Sequence, residues 1–146
     1  MGYRYAVVGS CRQGTAAAYD FAKFGEADEI VMADMSLAQA KRVSARVNKL
    51  VGRRVARPAH ADVMKPSTVL KAIKGADVML SGVPYFFNLG LTKLAIRAGV
   101  SMVDFGGNTG VVRKQLALDK QARKAGVGII PDCGMGPGLN ITMSVY

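Results

Sequence analysis

The chain opens with residues whose types and spacing suit the binding of a diphosphate. An apolar run, Ala6–Val8, stops at Gly9, and Gly14 follows five residues later, where a helix-favouring segment begins. A helix N-terminus presents unpaired backbone N–H groups and the positive end of the helix dipole, so it attracts an anion. A strand, a glycine turn and a helix in this order therefore predict a dinucleotide-binding unit.

The glycine pattern departs from the usual G-x-G-x-x-G at one position, because Cys11 stands where the second glycine is expected. That glycine normally lets the backbone approach the phosphates closely. We therefore expect the Cys11 side chain to hold a cofactor slightly further away. A glycine turn between a strand and a helix also occurs in proteins that bind no nucleotide, and this motif alone leaves that alternative open.

An acidic residue downstream supports nucleotide binding. The predicted second strand, 29–34, ends at Asp34, twenty residues after the last glycine of the turn, where a carboxylate meets the ribose hydroxyls of adenosine. Its negative charge would repel a 2′-phosphate, which favours NAD over NADP. Asp34 could instead be an acid at the start of the next helix, although Ser36 is an equally good cap. Lys41 and Arg42 lie near enough to meet a 2′-phosphate, so NADP stays possible.

Length and composition restrict the class of protein. The 146 residues suffice for one domain with a full hydrophobic core, and half of them are apolar. We find no apolar run long enough to span a bilayer and no signal peptide, so we expect no membrane association. Two cysteines and one histidine form no disulfide framework or ligand spacing. We therefore expect no metal site and a reducing, cytoplasmic setting.

The formal net charge of +10 could indicate a nucleic-acid partner. The basic residues are spread over predicted helix faces, and no aromatic residues interleave with them as stacking platforms would. We therefore expect solvated helix faces and no nucleic-acid binding. An acidic partner or a further domain facing part of this charge is the alternative.

A repeated junction indicates the elements that position these residues. Three segments, 72–80, 95–103 and 122–130, each run from a helix with a basic last turn through a glycine into an apolar strand. Helices alternating with short apolar strands predict an α/β fold, a Rossmann-type doubly wound parallel sheet with helices on both faces and strand order 3-2-1-4-5-6. The predicted strands lie near 4–8, 29–34, 55–58, 77–81, 101–104 and 128–131, and the predicted helices near 14–24, 36–51, 66–74, 88–98 and 112–124.

Ligands of such sheets bind outside the carboxyl ends of the strands, so the loops after the strands are the candidates for chemistry. We predict that Asp62 touches the adenine and that Gly82 allows a ribose to approach. Pro84, Tyr85 and Phe86 are predicted to wall the nicotinamide pocket. Packing of these aromatic residues on the next helix is the alternative, and for the next residue of the cluster, Phe87, we favour it.

Two further glycine-rich loops follow the fifth and sixth predicted strands. Paired glycines follow Asp104, and such pairs suggest backbone that passes close to a bound group. Asn108, Asp132 and Asn140 are polar residues in these loops that could orient a substrate. The residues predicted to bind the cofactor are Gly9, Ser10, Cys11, Arg12, Gln13, Gly14, Asp34, Met35, Asp62, Gly82, Val83, Pro84 and Asp104. Substrate-side candidates are Tyr85, Asn108 and Asp132, and no catalytic residue is assigned.

Three segments carry a family resemblance that covers nearly the whole chain in order. Segments 77–91, 103–108 and 129–138 contain the patterns P-Y-x-F-N, D-x-G-G-[NH] and G-x-x-P-G. Together they resemble the saccharopine dehydrogenase-like family, and within it the L-lysine 6-dehydrogenases and saccharopine reductases. The departure is Cys11, where the family has glycine, and this substitution bears on how tightly a cofactor is held.

The resemblance implies an NAD(P)-dependent oxidoreductase that takes a hydride from a carbon next to an amine nitrogen of an amino acid. A general base must hold that amine neutral, because a protonated amine has no lone pair to assist hydride loss. Family members are longer, with a second domain that closes over the cofactor and makes a homodimer. Residues 1–138 would then be the NAD(P)-binding domain and 139–146 the start of the connection.

On this basis we expect the chain alone to bind cofactor without turnover. A stand-alone nucleotide-sensing module is the main alternative. A methyltransferase is another, because methyltransferases also combine a glycine turn with an acid after the second strand.

Overall fold

The computed structural model describes residues 2–145. Its strands are β1 (Tyr3–Val8), β2 (Ala27–Asp34), β3 (Ala56–His60), β4 (Val78–Ser81), β5 (Ser101–Asp104) and β6 (Ile129–Ile130). Its helices are α1 (Arg12–Phe24), α2 (Leu37–Val51), α3 (Pro66–Ile73), α4 (Asn88–Ala98), α5 (Thr109–Leu116), α6 (Asp119–Ala125) and α7 (Asn140–Val145). A single 3₁₀ turn, Tyr85–Phe87, leads into α4, and an irregular helical turn, Met135–Leu139, leads into α7.

The six strands form one sheet in the order β3-β2-β1-β4-β5-β6, and every strand pair is parallel. This confirms the predicted fold class and strand order. The order reverses between β1 and β4, the two central strands. Loops leaving these two strands turn to opposite faces of the sheet, so a crevice opens at their carboxyl ends.

The central strands are buried on both faces because helices cover both. Val7 and Ile30 point to the layer built by α1 and α2, where they pack with Val47. Their sequence neighbours Ala6 and Val31 point to the opposite layer, built mainly by α3 and α4. The continuous apolar runs of β1 and β2 follow from this double coverage.

Glycines end three of the helices as the repeated junction predicts. Gly75, Gly99 and Gly126 have φ of +76°, +68° and +70°, which is the left-handed conformation that side chains other than glycine rarely adopt. Each glycine lets the chain turn from the end of a helix directly into the next strand. The interpretation of these glycines as helix caps is confirmed for Gly99 and Gly126, whereas Lys74 is the cap of α3 and Gly75 lies one residue beyond it.

Two helix predictions were inaccurate. The predicted helix 112–124 is two helices, and the first begins earlier because Asn108 Oδ1 accepts a hydrogen bond from Val111 N at 3.1 Å and caps α5. In α2 the apolar spacing predicts Leu37, Ala40, Val43, Ala45, Val47 and Leu50 as buried positions. The prediction is confirmed for Ala40, Val43 and Val47, whereas Leu37, Ala45 and Leu50 are exposed. The residues of α2 that are buried follow the i, i+3, i+4, i+7 spacing of one helix face: Ala40, Val43, Ser44 and Val47.

Within residues 2–145, none of the helices has the length and apolar character needed to cross a bilayer. The same part of the chain contains no cluster of three or more His, Cys, Asp or Glu side chains arranged to hold a metal ion. Its two cysteines are both free and exposed.

Candidate cofactor-binding site

The turn between β1 and α1 leaves no room for a side chain at either of its two glycines. Gly9 has φ +105°, and a Cβ there would lie 2.8 Å from the backbone of Gly82 in the loop after β4. A Cβ at Gly14 would lie 2.2 Å from the Gly9 carbonyl oxygen. Glycine is therefore required at both positions, and the loops after β1 and β4 meet at the switch point of the sheet. This is the close approach of backbone that the glycine spacing predicts.

Cys11 caps α1 and ties these two loops together. Its Sγ accepts a hydrogen bond from Gly14 N at 3.4 Å and donates one to the Gly82 carbonyl oxygen at 3.4 Å. The sulfur therefore accepts the hydrogen bond of one N–H group at the helix start, and this N–H group is not available to a ligand. The N–H groups of Arg12 and Gln13 have no intrahelical acceptor, and they are the donors that a diphosphate can use.

Asp34, at the end of β2, holds the same turn from the other side. Its Oδ2 accepts a hydrogen bond from Ser10 N at 2.9 Å, and its Oδ1 accepts one from Ser36 N at 2.8 Å. Ser36 is the residue that caps α2, as the sequence indicates. Each carboxylate oxygen keeps acceptor capacity for a ribose hydroxyl, because an ionised carboxylate offers about four lone-pair sites.

Gln39, in the first turn of α2, also holds this turn and was not predicted from the sequence. Its Nε2 donates to the Ser10 carbonyl oxygen at 2.7 Å, and its Oε1 accepts a hydrogen bond from the Arg42 guanidinium. Its partner in the turn is a backbone atom, so no residue type in the sequence signals this contact. With Asp34 it fixes both polar groups of the Ser10 backbone.

An apolar cavity of about 290 Å³ lies beside Asp34, between the carboxyl ends of β1 to β3 and the loop after β4. Six residues predicted to bind the cofactor line it: Gly9, Asp34, Met35, Asp62, Val83 and Pro84. Five more lining residues were not predicted from the sequence: Val8, Ala61, Val63, Met64 and Phe87.

Pro84 lies apart from Tyr85 and Phe86, with which it was predicted to wall the nicotinamide pocket. Pro84 borders the apolar cavity, whereas Tyr85 lies against Gly107 in the loop after β5, where a Cβ would meet the Tyr85 ring at 3.2 Å. Phe86 is 60% exposed beside Tyr85. Phe87 packs on the core, as we favoured, and it also lines the cavity.

A wider groove of about 800 Å³ lies between α1 and α2 and opens at Cys11. It is lined by three arginines, Arg12, Arg42 and Arg46, and by no acidic residue. The groove therefore extends the positive potential of the helix N-terminus along the outside of the turn. Arg42, one of the two basic residues considered for a 2′-phosphate, is in its wall.

The predicted cofactor residue Asp104 is a buried support rather than a surface contact. It is 1% exposed at the end of β5, so its carboxylate lies below the surface of the site. Its Oδ1 accepts hydrogen bonds from Gly106 N at 2.7 Å and from Asp132 N at 3.0 Å. The cofactor contact predicted at Asp104 stays a prediction, and in this structure the carboxylate pairs the backbone of two loops.

The two glycine-rich loops interlock at this end of the sheet. Asp132 has φ +66°, an uncommon conformation for a residue with a side chain, and its Oδ1 would lie 1.6 Å from a Cβ at Gly106. The same oxygen accepts a hydrogen bond from Gly107 N at 3.3 Å. Asp132 and Tyr85 therefore lie on either side of the paired glycines. The third substrate-side candidate, Asn108, caps α5 with its side-chain oxygen.

Cys133, next to Asp132, is not an activated thiol. Although Cys133 is exposed, desolvation by the surrounding loop raises its pKa most, and the nearby carboxylates of Asp104 and Asp132 raise it further. A thiol with a raised pKa is mostly protonated at neutral pH and is a poor nucleophile.

The parallel sheet, the glycine turn with free helix N–H groups, the acid at the end of β2 and the adjoining apolar cavity define the class. They are the features of a dinucleotide-binding Rossmann domain. A family model described as the saccharopine dehydrogenase NADP binding domain matches residues 5–130. The chain belongs to the saccharopine dehydrogenase family and contains its NADP-binding domain.

Solved structures show the same fold at low identity. Saccharopine dehydrogenase (L-Glu forming) from Saccharomyces cerevisiae matches with a TM-score of 0.78 and 24% identity over 99% of this chain. Quinate dehydrogenase from Corynebacterium glutamicum, in complex with NAD, matches with a TM-score of 0.66 and 18% identity over 92% of this chain. The chain covers 30% of the yeast protein and 46% of the Corynebacterium protein.

Triphenylmethane reductase from Citrobacter sp., complexed with NADP(H), matches with a TM-score of 0.63 and 19% identity. Alignment covers 87% of this chain and 48% of the reductase. The fold is therefore shared with oxidoreductases whose structures contain NAD and with others whose structures contain NADP(H).

Proposed function

We propose that this chain is the cofactor-binding part of an amino acid oxidoreductase that transfers a hydride from a carbon next to an amine nitrogen to the nicotinamide. The observation that carries the proposal is the hydrogen bond from Ser10 N to Asp34, which joins the diphosphate turn to the ribose-binding acid beside an apolar cavity. The family membership supports the class of reaction.

Different residues of this chain would bind different parts of the cofactor. N–H groups of Arg12 and Gln13 would bind the diphosphate, Asp34 the adenosine ribose, and the cavity beside it the adenine. The second half of the dinucleotide would then extend past the switch point, towards Tyr85 and Asp132. When bound there, the nicotinamide supplies the hydride acceptor.

We infer a preference for NAD over NADP. The Asp34 carboxylate would lie beside the ribose 2′-position, and a phosphate there would meet a like charge. The arginines of the α1–α2 groove offset part of this repulsion, since Arg12 and Arg42 line the space next to the turn. NADP is therefore expected to bind, but more weakly.

A further part of the proposal concerns a longer protein that contains this chain and a second domain. A second domain following residue 138 would supply the substrate pocket, the catalytic base and a homodimer interface, so the chain alone would bind cofactor without turnover. Two free cysteines fit a reducing cytoplasm. A small-molecule amino acid is the expected substrate.

Calorimetric titration of the chain with NADH, NADPH and S-adenosylmethionine tests the proposal. We expect NADH to bind most tightly, NADPH more weakly and S-adenosylmethionine not at all. Tight binding of S-adenosylmethionine without dinucleotide binding would indicate a methyltransferase and defeat the proposal.

A nucleotide-sensing module without catalysis is the second candidate, and the Cys11 sulfur favours it. The sulfur takes the Gly14 N–H that a glycine at position 11 would leave free. Reconstitution with a downstream domain from the same gene separates the two functions. Amine-dependent reduction of NAD by the longer protein would support the enzyme, and binding without reduction would support the module.

A further inference from the structure

A buried hydrogen-bond chain connects the carboxyl ends of β4 and β5. Ser81 Oγ, at the end of β4, donates to Asn88 Oδ1 at 2.7 Å. Thr92 Oγ1, one turn further along α4, donates to the Asn88 carbonyl oxygen at 2.8 Å. All three residues are at most 2% exposed. The chain continues through Gln115 of α5 to the carboxylate at the end of β5.

Gln115 is the central member of this chain. Its Nε2 donates one hydrogen bond to Thr92 Oγ1 at 2.9 Å and one to Asp104 Oδ2 at 2.7 Å. Gln115 is 2% exposed, and its Oε1 has no hydrogen-bond partner among residues 2–145. An unpaired buried amide oxygen lowers the stability of the fold. The two hydrogen bonds that Nε2 donates therefore hold the Gln115 side chain in this orientation.

The Gln115 nitrogen supports a carboxylate that has little other compensation. Asp104 is 1% exposed, and no salt bridge to it is formed within residues 2–145. Its only other donors there are the backbone N–H groups of Gly106 and Asp132. A buried charge is tolerated when hydrogen bonds satisfy it, so each of the three donors matters.

Asp104 links Gln115 to the loops at the surface of the site. The two backbone N–H groups that Asp104 holds belong to the interlocked loops after β5 and β6, which carry Gly107 and the strained Asp132. Tyr85 packs on Gly107 from the loop after β4. None of the contacts of Ser10 or Asp34, at the adenosine end, involves this network.

We propose that Gln115 is a positioning residue for the nicotinamide half of the cofactor, acting through Asp104 on the loops that carry Gly107 and Asp132. The inference rests on the proposed orientation of the dinucleotide across the switch point. It predicts that the two halves of the site can be weakened separately, because different hydrogen bonds hold them.

The test compares NADH with ADP-ribose, which lacks the nicotinamide, on the wild-type chain and on Gln115→Met. Methionine keeps the length and apolar volume of the side chain but removes both donors. We expect NADH affinity to fall about tenfold and ADP-ribose affinity to change less than about twofold. Gln121→Met, at an exposed position of α6, is the matched control and should leave both affinities unchanged.

A reciprocal exchange keeps the proposal testable if Gln115→Met folds poorly. In the double variant Asp104→Asn with Gln115→Glu, the amide introduced at the end of β5 can donate to the carboxylate introduced on α5, which restores the bond with reversed polarity. We expect this double variant to recover part of the NADH affinity that Gln115→Glu alone loses, where two carboxylates would meet.

The outcomes separate this inference from the proposed function. Equal loss of NADH and ADP-ribose affinity, or no loss of either, in a folded Gln115→Met would overturn the positioning role while leaving dinucleotide binding intact. Failure of the wild-type chain to bind both molecules would instead defeat the proposed function.

Discussion

The Asp34 carboxylate accepts a hydrogen bond from the backbone N–H of Ser10 at 2.9 Å, so the end of β2 fixes the turn that follows β1. This single contact joins two signals that lie far apart in the sequence. It makes the acid part of the diphosphate turn as well as a candidate for the ribose. Changes at Asp34 are therefore expected to affect both.

Replacement of Asp34 by Asn should reduce the discrimination between NADH and NADPH. The amide oxygen can still accept from Ser10 N, the bond from Ser36 N is lost because the amide nitrogen is a donor, and the charge that opposes a 2′-phosphate is removed. We expect the NADPH-to-NADH affinity ratio to rise about tenfold, which corresponds to about 1.4 kcal/mol. Asp20→Asn, an exposed acid on α1, is the control in the same titrations. An unchanged ratio would show that Asp34 does not face the 2′-position.

Replacement of Cys11 by Gly should tighten dinucleotide binding. The Gly14 N–H is then released from the sulfur, and no Cβ stands between the turn and the phosphates. We expect NADH to bind several-fold more tightly, with a loss of helix stability of about 0.5 kcal/mol because glycine is also an acceptable cap. Isothermal titration and thermal unfolding measure the two effects. Cys133→Ser is the control for loss of a thiol, and weaker binding by Cys11→Gly would show that the sulfur helps the site.

Replacement of Gln39 by Ala should weaken binding of the whole dinucleotide through the turn it anchors. Its Nε2 donates to the Ser10 carbonyl oxygen, and Ala removes this link between α2 and the turn. We expect NADH and ADP-ribose to lose affinity by the same factor of about five, since a single neutral hydrogen bond is worth about 1 kcal/mol. Gln13→Ala, in the turn itself but with an exposed side chain, is the comparison. A selective loss of NADH would contradict this assignment to the adenosine end.

Acid should destabilise the fold partly through Glu29. Hydrogen bonding to Arg57 lowers the pKa of Glu29 most, burial opposes this with a smaller effect, and hydrogen bonding to Arg4 lowers the pKa further. A lowered pKa in the folded state means that the stabilisation is present above the unfolded pKa and is lost as pH falls through the folded value. We expect Glu29→Gln to flatten the fall in urea midpoint below about pH 5, measured against the wild-type chain.

The three residues of this ion-pair group lie on neighbouring strands, with Arg4 on β1, Glu29 on β2 and Arg57 on β3. The pairs are partly exposed, so salt should reduce their effect. Asp20→Asn serves again as the control because it changes the charge equally without touching a strand. The same acid dependence in Glu29→Gln and in wild type would assign the loss of stability to other carboxylates.

The elements and their order could be predicted because each rests on local physical chemistry. Apolar runs that end at glycine or an acid indicate the strands, and glycines such as Gly99 and Gly126 mark helix ends by a backbone conformation that is local. The doubly wound order follows from alternating strands and helices together with the rule for parallel crossovers. Helix limits were less accurate, because the cap at Asn108 depends on one side-chain hydrogen bond.

The site was predicted in part, and the residues missed share a cause. Gly9, Gly14 and Asp34 could be proposed as site residues because their residue types and spacing are themselves the signal, and their contact with a cofactor stays a prediction. Gln39 and Gln115 were missed because each bonds to a group far away along the chain, so no pattern in the sequence brings the partners together. Asp104 was assigned to the cofactor because it follows a strand, and only packing shows that its carboxylate is buried.

The sequence by itself determined the class of fold, the glycine turn between β1 and α1 and the family, because these depend on backbone conformation, hydrophobic spacing and motifs that are contiguous in the chain. Tertiary structure decided which polar side chains face the crevice and which support it from below. That division depends on burial and on hydrogen-bond partners from different strands and helices, such as Gln115 and Asp104, and it exists only once the chain is folded.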